Sequence, residues 1–255
     1  MSDFSRRGFL KGAAAAGAAA WLDRLAVGQE QGGEKAPPRT GVTSGTDLVT
    51  LGRSGVKTTV LGIGTGTRGG SEQIALGQEG FTRLFRHAYD RGVRYIDTAD
   101  MYSMHIFVRF AIQGLPRDKL FIQTKTMAKH PEVAKADIER FRRELRCDYL
   151  DCLLMHCMTQ KGFPTDMRPV MDVLSEAKQK GRVRSVGVSC HGLEPLVASV
   201  DCDWIDVHLV RINPFGTQMD GKPDEVLAAC KKMHAKGRGV LGMKICLLYT
   251  SDAAD

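Results

Sequence analysis

The body of this 255-residue chain contains no apolar run of 18 or more residues, so no membrane-spanning helix is expected there. It also lacks a block of basic residues interleaved with aromatics, the usual footprint of a nucleic-acid surface. The chain is nonetheless basic, with 36 Lys and Arg against 29 Asp and Glu and a formal charge of +7. That excess is spread along the sequence and by itself suits a phosphorylated small molecule as well as a nucleic acid. The seven cysteines show no zinc-binding spacing. Cys147, Cys152 and Cys157 stand five apart, but Cys152 falls inside an expected strand, where residues five apart point to opposite faces. No metal site is therefore expected, and Cys147, Cys152, Cys157, Cys190, Cys202 and Cys230 read as buried free thiols. With 43% hydrophobic and 25% charged residues, the chain is neither disordered nor collagen-like. No second pattern marks another domain.

Both ends differ from the body. Ser5-Arg6-Arg7-Gly8-Phe9-Leu10-Lys11 precedes a weakly apolar Ala/Gly stretch ending near Trp21-Leu22. This reads as an export signal, and its paired arginines resemble the twin-arginine signal, with cleavage expected near Ala26-Val27-Gly28. Residues 1–28 are then the signal peptide, the twin-arginine export machinery is a partner, and the destination is the bacterial periplasm. Residues 29–47, rich in Gly, Pro, Thr, Ser and Glu, read as a flexible linker. At the other end, residues 246–255 (Cys246 to Asp255) read as the translation of a transposase adapter used in sequencing libraries. Natural sequence is expected to stop near Ile245, with the last ten residues non-native.

Between these ends, short apolar runs alternate with amphipathic stretches. Strands are expected near 60–63, 95–96, 120–122, 149–154, 183–188, 204–210 and 239–243, and helices over 80–91, 131–145, 169–180 and 223–235. In 131–145, Ala134, Ile138, Phe141 and Leu145 recur at spacings of four, three and four, which gives one buried stripe. Gly92, Gly181 and Gly237 suit left-handed helix ends. Leu48 to Leu51 and Val56 to Val60, separated by Gly52-Arg53-Ser54-Gly55, read as a hairpin before the first strand. This rhythm implies parallel strands. A doubly wound sheet and an eight-stranded (β/α)8 barrel both fit it.

Three strand ends carry reactive groups: Asp97, with Tyr102 five residues later, then Lys125, then His156. In a parallel barrel these ends share one face, where active sites of that architecture lie. The stretches Leu51-Gly52-Arg53-Ser54-Gly55-Val56, Tyr95-Ile96-Asp97-Thr98-Ala99-Asp100-Met101-Tyr102, Gln123-Thr124-Lys125, Asp148 to His156 and Gly181 to Ser189 together resemble the aldo-keto reductases, from about Leu48 to Ile245. The resemblance implies a TIM barrel over 48–245, incomplete after its seventh strand, that binds NADP(H), or NAD(H), and interconverts a small carbonyl compound and its alcohol. It implies Asp97, Tyr102, Lys125 and His156 as the catalytic tetrad. Lys125 would lower the pKa of Tyr102, the general acid or base, Asp97 would hold Lys125, and His156 would orient the carbonyl. Cofactor contacts are implied at Gly64, Thr65, Ser189, Met243 and Lys244.

Some positions depart from the family pattern. Cys190 and Leu209 replace an Asn and a Gln that contact the nicotinamide carboxamide, and Met243 replaces a stacking aromatic. Ser103-Met104-His105-Ile106 replaces Gly-x-Ser/Thr-Glu. Gly62-Ile63-Gly64-Thr65-Gly66 alone could open a Rossmann phosphate loop, but no following helix with a ribose-binding acid is placed. Two rival readings stand at this point: a catalytically silent nucleotide-binding barrel, and a non-redox barrel enzyme. The 255-residue chain as written, one strand short, is expected to be inactive.

Overall fold

The computed structural model describes residues 41–245. The signal, most of the expected linker and the 246–255 tail lie outside the described residues. The first strands among the described residues form the expected hairpin, β1 (Leu48–Thr50) antiparallel to β2 (Lys57–Thr59). Seven parallel strands follow in strict sequence order: β3 (Gly62–Gly64), β4 (Tyr95–Asp97), β5 (Phe121–Thr126), β6 (Leu150–Met158), β7 (Val183–Cys190), β8 (Val207–Arg211) and β9 (Gly239–Met243). Six main helices lie between them: α1 (Gly77–Asp90), α2 (His105–Ile112), α3 (Pro131–Leu145), α4 (Arg168–Gln179), α5 (Leu193–Val200) and α6 (Pro223–Ala235).

Strand order decides between the two architectures that the rhythm allowed. A doubly wound sheet reverses its order at a switch point. Here each strand pairs with the next in the chain, from β3 to β9, with no reversal. Right-handed crossovers then lay successive helices on one face, and the sheet curls as the wall of a TIM-type barrel.

The sheet has two apolar faces because side chains alternate along each strand. Outward residues such as Ile96, Ile122, Leu153, Val186 and Val210 pack with helix residues including Phe85, Phe141 and Leu174. Inward residues Tyr95, Phe121, Cys152, Leu154, Val207 and Leu241 form a separate inner cluster. Tyr95 and Phe121 meet there edge to face, 5.0 Å between centroids. The hairpin closes the N-terminal end of this cluster with Leu51 and Val56. Gly52 bridges to Arg238, and a Cβ at Gly52 would lie 2.3 Å from the Gly237 carbonyl oxygen, so no side chain fits there.

Gly92, Gly181 and Gly237 have φ of 99°, 69° and 69°, the left-handed geometry expected at those helix ends. Two helices escaped the periodicity reading. α2 and α5 are eight residues each and mostly apolar, and a run that short cannot be told from a buried strand by its period. The last residues of the expected flexible linker are instead folded. Asp47 Oδ2 accepts the Thr43 and Ser44 N–H groups at 2.6 and 2.8 Å, and Leu61 N–H donates to Gly45 O at 2.7 Å. A short polar segment can be ordered this way because one carboxylate satisfies two backbone donors.

Candidate active site

The alternation that builds the inner cluster also builds the site. Two residues beyond Tyr95 and Leu154, and four beyond Phe121, Asp97, His156 and Lys125 face the same interior nearer the C-terminal ends of their strands. Lys125 is fully buried, and its Nζ donates to Asp97 Oδ1 at 2.5 Å and to Thr98 O at 2.9 Å. Gln123, also inward, donates to the same Asp97 oxygen at 2.8 Å. The buried ammonium thus has a carboxylate and a carbonyl, which offset its desolvation. Gln123 is part of the matching stretch but is given no role from the sequence, although its place two residues before Lys125 puts it on the same face.

Tyr102 ends the short 3-10 turn Asp100–Tyr102 that follows β4. Its ring lies 4.9 Å from Lys125 Nζ and 5.7 Å from the His156 ring, nearly perpendicular to the latter. The four tetrad positions therefore converge. Gly66 is the contact that sequence reading missed: a Cβ there would lie 2.5 Å from Tyr102 Cζ, so this glycine makes room for the ring. Ser103 stands where the family pattern has Gly, and its φ of 54° shows why glycine suits the position. A non-glycine residue held there carries a cost of about 1–3 kcal/mol.

One electrostatic expectation is corrected. The Tyr102 phenol is shifted up from its ordinary value, not down. Burial is the largest cause; the Lys125 charge pulls the other way without overcoming it, and Asp97 adds a further push upward. His156 is pushed down to about 3 by burial, with the Lys125 charge and His191 contributing. It is neutral at any ordinary pH, and its buried Nδ1 has no partner among the described residues. At His156 the β6–β7 register shifts between Met155 and Met158, and Cys157 takes a φ of 60°.

The expected cofactor positions lie around the same mouth. Gly64 ends β3 beside Asp97, and a Cβ built there would meet nothing within 4 Å. A flat ligand can approach the backbone at that point. Thr65 is buried, and both its N–H and its hydroxyl donate to Asp97 O, at 2.9 and 3.2 Å, so it pins the β3 end to β4. Ser189 is buried inward on β7, where its Oγ accepts the Cys157 N–H at 3.1 Å and keeps its own proton to donate. Met243 ends β9 half-buried, and Lys244 follows with φ 63°. Burial and the neighbouring Arg211 push the Lys244 ammonium down. Leu209, in the place of the family's Gln, belongs to the inner apolar cluster. The six described cysteines are free.

Sequence and structure comparisons define the family. Residues 60–244 match the model of the aldo/keto reductase family, and residues 3–20 match the twin-arginine translocation pathway signal sequence. The chain belongs to the aldo/keto reductase family. A methylglyoxal reductase of Salmonella typhi is 30% identical over 135 residues, 50% of each chain. An NADPH-dependent codeinone reductase of Papaver somniferum is 29% identical over 197 residues, 68% of this chain and 59% of that one. The chain spans about half the length of the curated relatives it matches. Among solved structures, the Bombyx mori aldo-keto reductase in complex with NADP superposes with a TM-score of 0.62 at 22% identity, covering 78% of this chain and 66% of that one.

Proposed function

We propose that this protein is an exported oxidoreductase that reduces a small aldehyde or ketone with NADPH, or runs the reverse oxidation, with Tyr102 as the proton donor. The observation that carries this reading is the convergence of Tyr102, Lys125, Asp97 and His156 within one inward layer. Similarity to an NADPH-dependent reductase supports NADP(H); an NADH-specific methylglyoxal reductase of Escherichia coli, 26% identical over 189 residues, keeps NAD(H) as the second candidate. The matched signal supports twin-arginine export and a periplasmic destination.

A bound nicotinamide would supply the hydride, and Gly64, Ser189, Met243 and Lys244 would be the residues that hold it. The open space over Gly64 and the free Ser189 O–H fit that role. Hydride addition leaves negative charge on the carbonyl oxygen, which needs a proton. His156 is a poor candidate to give one, because an imidazole with a pKa of about 3 is not protonated near neutrality. Tyr102 keeps its phenolic proton at neutral pH, as an ordinary phenol does, and burial only reinforces this. As that proton leaves, the Lys125 ammonium stabilises the phenolate, and Asp97 holds the ammonium in place. Neutral His156 can still donate one hydrogen bond to the carbonyl and orient it.

The test is Tyr102→Phe in the full-length protein. It removes the transferable proton and almost no volume. Carbonyl reduction should fall by about 100- to 10,000-fold, the range for losing a general acid, while NADPH affinity by fluorescence titration stays within about twofold. Full turnover by this variant would refute the assignment.

A further inference from the structure

Behind Tyr102, on the outer side of the sheet, lies a closed chain of hydrogen bonds that the proposed reaction does not use. Lys125 points inward, and its neighbours Thr124 and Thr126 therefore point outward, both buried. Thr124 Oγ1 lies 2.7 Å from His105 Nε2, and His105 Nδ1 lies 2.7 Å from Glu144 Oε2. A carboxylate only accepts, so Nδ1 carries the proton and Nε2 accepts from the Thr124 hydroxyl. Burial pushes the His105 imidazole down, consistent with this neutral tautomer. Glu144 Oε1 accepts from Arg140 at 3.1 Å, Asp137 Oδ1 accepts from Arg140 at 2.7 Å, and Thr126 donates to Asp137 Oδ2 at 2.6 Å, which closes the circuit. Arg140 also grips Asp100 with both Nη atoms, at 2.7 and 2.8 Å. Asp100, His105 and Glu144 offer three ligand atoms within 4.8 Å of one another, but Arg140 already donates to both carboxylates.

The placement of these bonds along the chain is what matters. Asp100 and His105 flank Tyr102, and Thr124 and Thr126 flank Lys125. The circuit clamps the residues on either side of the proton donor to the residues on either side of the ammonium. The Tyr102–Lys125 separation is thus fixed from outside the barrel wall by Arg140, Asp137 and Glu144 on α3. We infer that Arg140 and its partners Asp100 and His105 are positioning residues for proton transfer, holding the Tyr102 ring over Lys125. This inference rests on the role of Tyr102 proposed above. It also accounts for His105 and Ile106 in place of the family's Ser/Thr and Glu: here the loop is held through His105, and Ile106 is exposed.

Arg140 suits the task because a planar guanidinium grips a carboxylate through two parallel bonds, and an ammonium does not. The groups that act on Tyr102 are Lys125, Asp97, Cys157 and the ring of His156. Of these Lys125 alone is a cation that pulls the phenol down. Moving the ring outward from 4.9 Å weakens that pull and lets the phenol rise further.

The experiment uses Arg140→Gln, Arg140→Lys and Asp100→Asn in the full-length protein, with Tyr102→Phe in parallel. The expected result for Arg140→Gln is a kcat lower by about 10- to 100-fold with KM within about threefold. The alkaline limb of the kcat profile, where the phenol loses its proton, should move up in pH. Hydrogen exchange in residues 98–104 should accelerate. Asp100→Asn should act in the same direction, and should add little in the Arg140→Gln background, because both break one grip. Arg140→Lys should not restore kcat. If Arg140→Gln does not fold, Asp100→Asn carries the same readouts. A lower melting temperature with kcat and the alkaline limb unchanged would reduce the circuit to a structural one. Full activity in Tyr102→Phe would overturn the function on which the inference rests. Unchanged exchange over 98–104 in Arg140→Gln would overturn the clamp whatever the catalytic result.

Discussion

Acid should destabilise this fold, and two buried histidines set the size of the effect. His156 and His208 are both pushed down to about 3 from an ordinary value of 6.5, chiefly by burial. They are 4% and 1% exposed, so solvent screens neither appreciably. Between pH 6.5 and 3 the unfolded chain binds protons at these positions and the folded chain does not. Their contribution to stability is therefore complete above pH 6.5 and drains away as pH falls towards 3. At pH 5 each imidazole is 1.5 units below its unfolded pKa, which costs about 2 kcal/mol per group at about 1.4 kcal/mol per unit. The pair costs about 4 kcal/mol, a large part of a domain's usual margin of about 5–15 kcal/mol. His105 and His191 are shifted in the same direction and add to the loss. The measurement is urea unfolding of the full-length protein at pH 7.5 and pH 5.0, followed by circular dichroism. His208→Leu should shrink the pH difference by about 2 kcal/mol, because the ring titrates and its replacement does not. Ser199, 3.2 Å from His208 Nδ1, also donates to Leu196 O at 2.7 Å and is not orphaned by that change. Equal stability at the two pH values, or an undiminished difference in His208→Leu, would refute the reasoning.

Other consequences are simpler to state. Gly66→Ala places a Cβ 2.5 Å from Tyr102 Cζ, inside any real contact distance, so the ring must move. Turnover should fall by about 100-fold while the circular dichroism spectrum is retained, and a fully active Gly66→Ala would show that the ring's position is not critical. Replacing Arg6 and Arg7 together by lysine should leave the protein in the cytoplasm, as read by fractionation and immunoblot. Undiminished export of that variant would exclude the twin-arginine route.

What the sequence determined is what local geometry controls. Alternation along each strand groups Asp97 with Tyr95, Lys125 with Phe121 and His156 with Leu154, because successive side chains point to opposite sides whatever the strand's neighbours are. The stripe in α3 and the glycine-ended helices follow from the helical period and from left-handed φ in the same local way. Order and spacing of the motifs then sufficed to indicate the family. The tertiary structure decided whatever depends on which distant segments meet. Strand order without a reversal separates barrel from doubly wound sheet, and no local period encodes it. The rise in the Tyr102 pKa is the sum of burial and two opposing charges, and burial exists only once the chain is packed. The Thr65 hydroxyl bonds to a carbonyl 32 residues away, and the Arg140 grip on Asp100 spans 40. Such contacts leave no periodic trace, because they join residues that only the folded barrel brings within a hydrogen bond of each other.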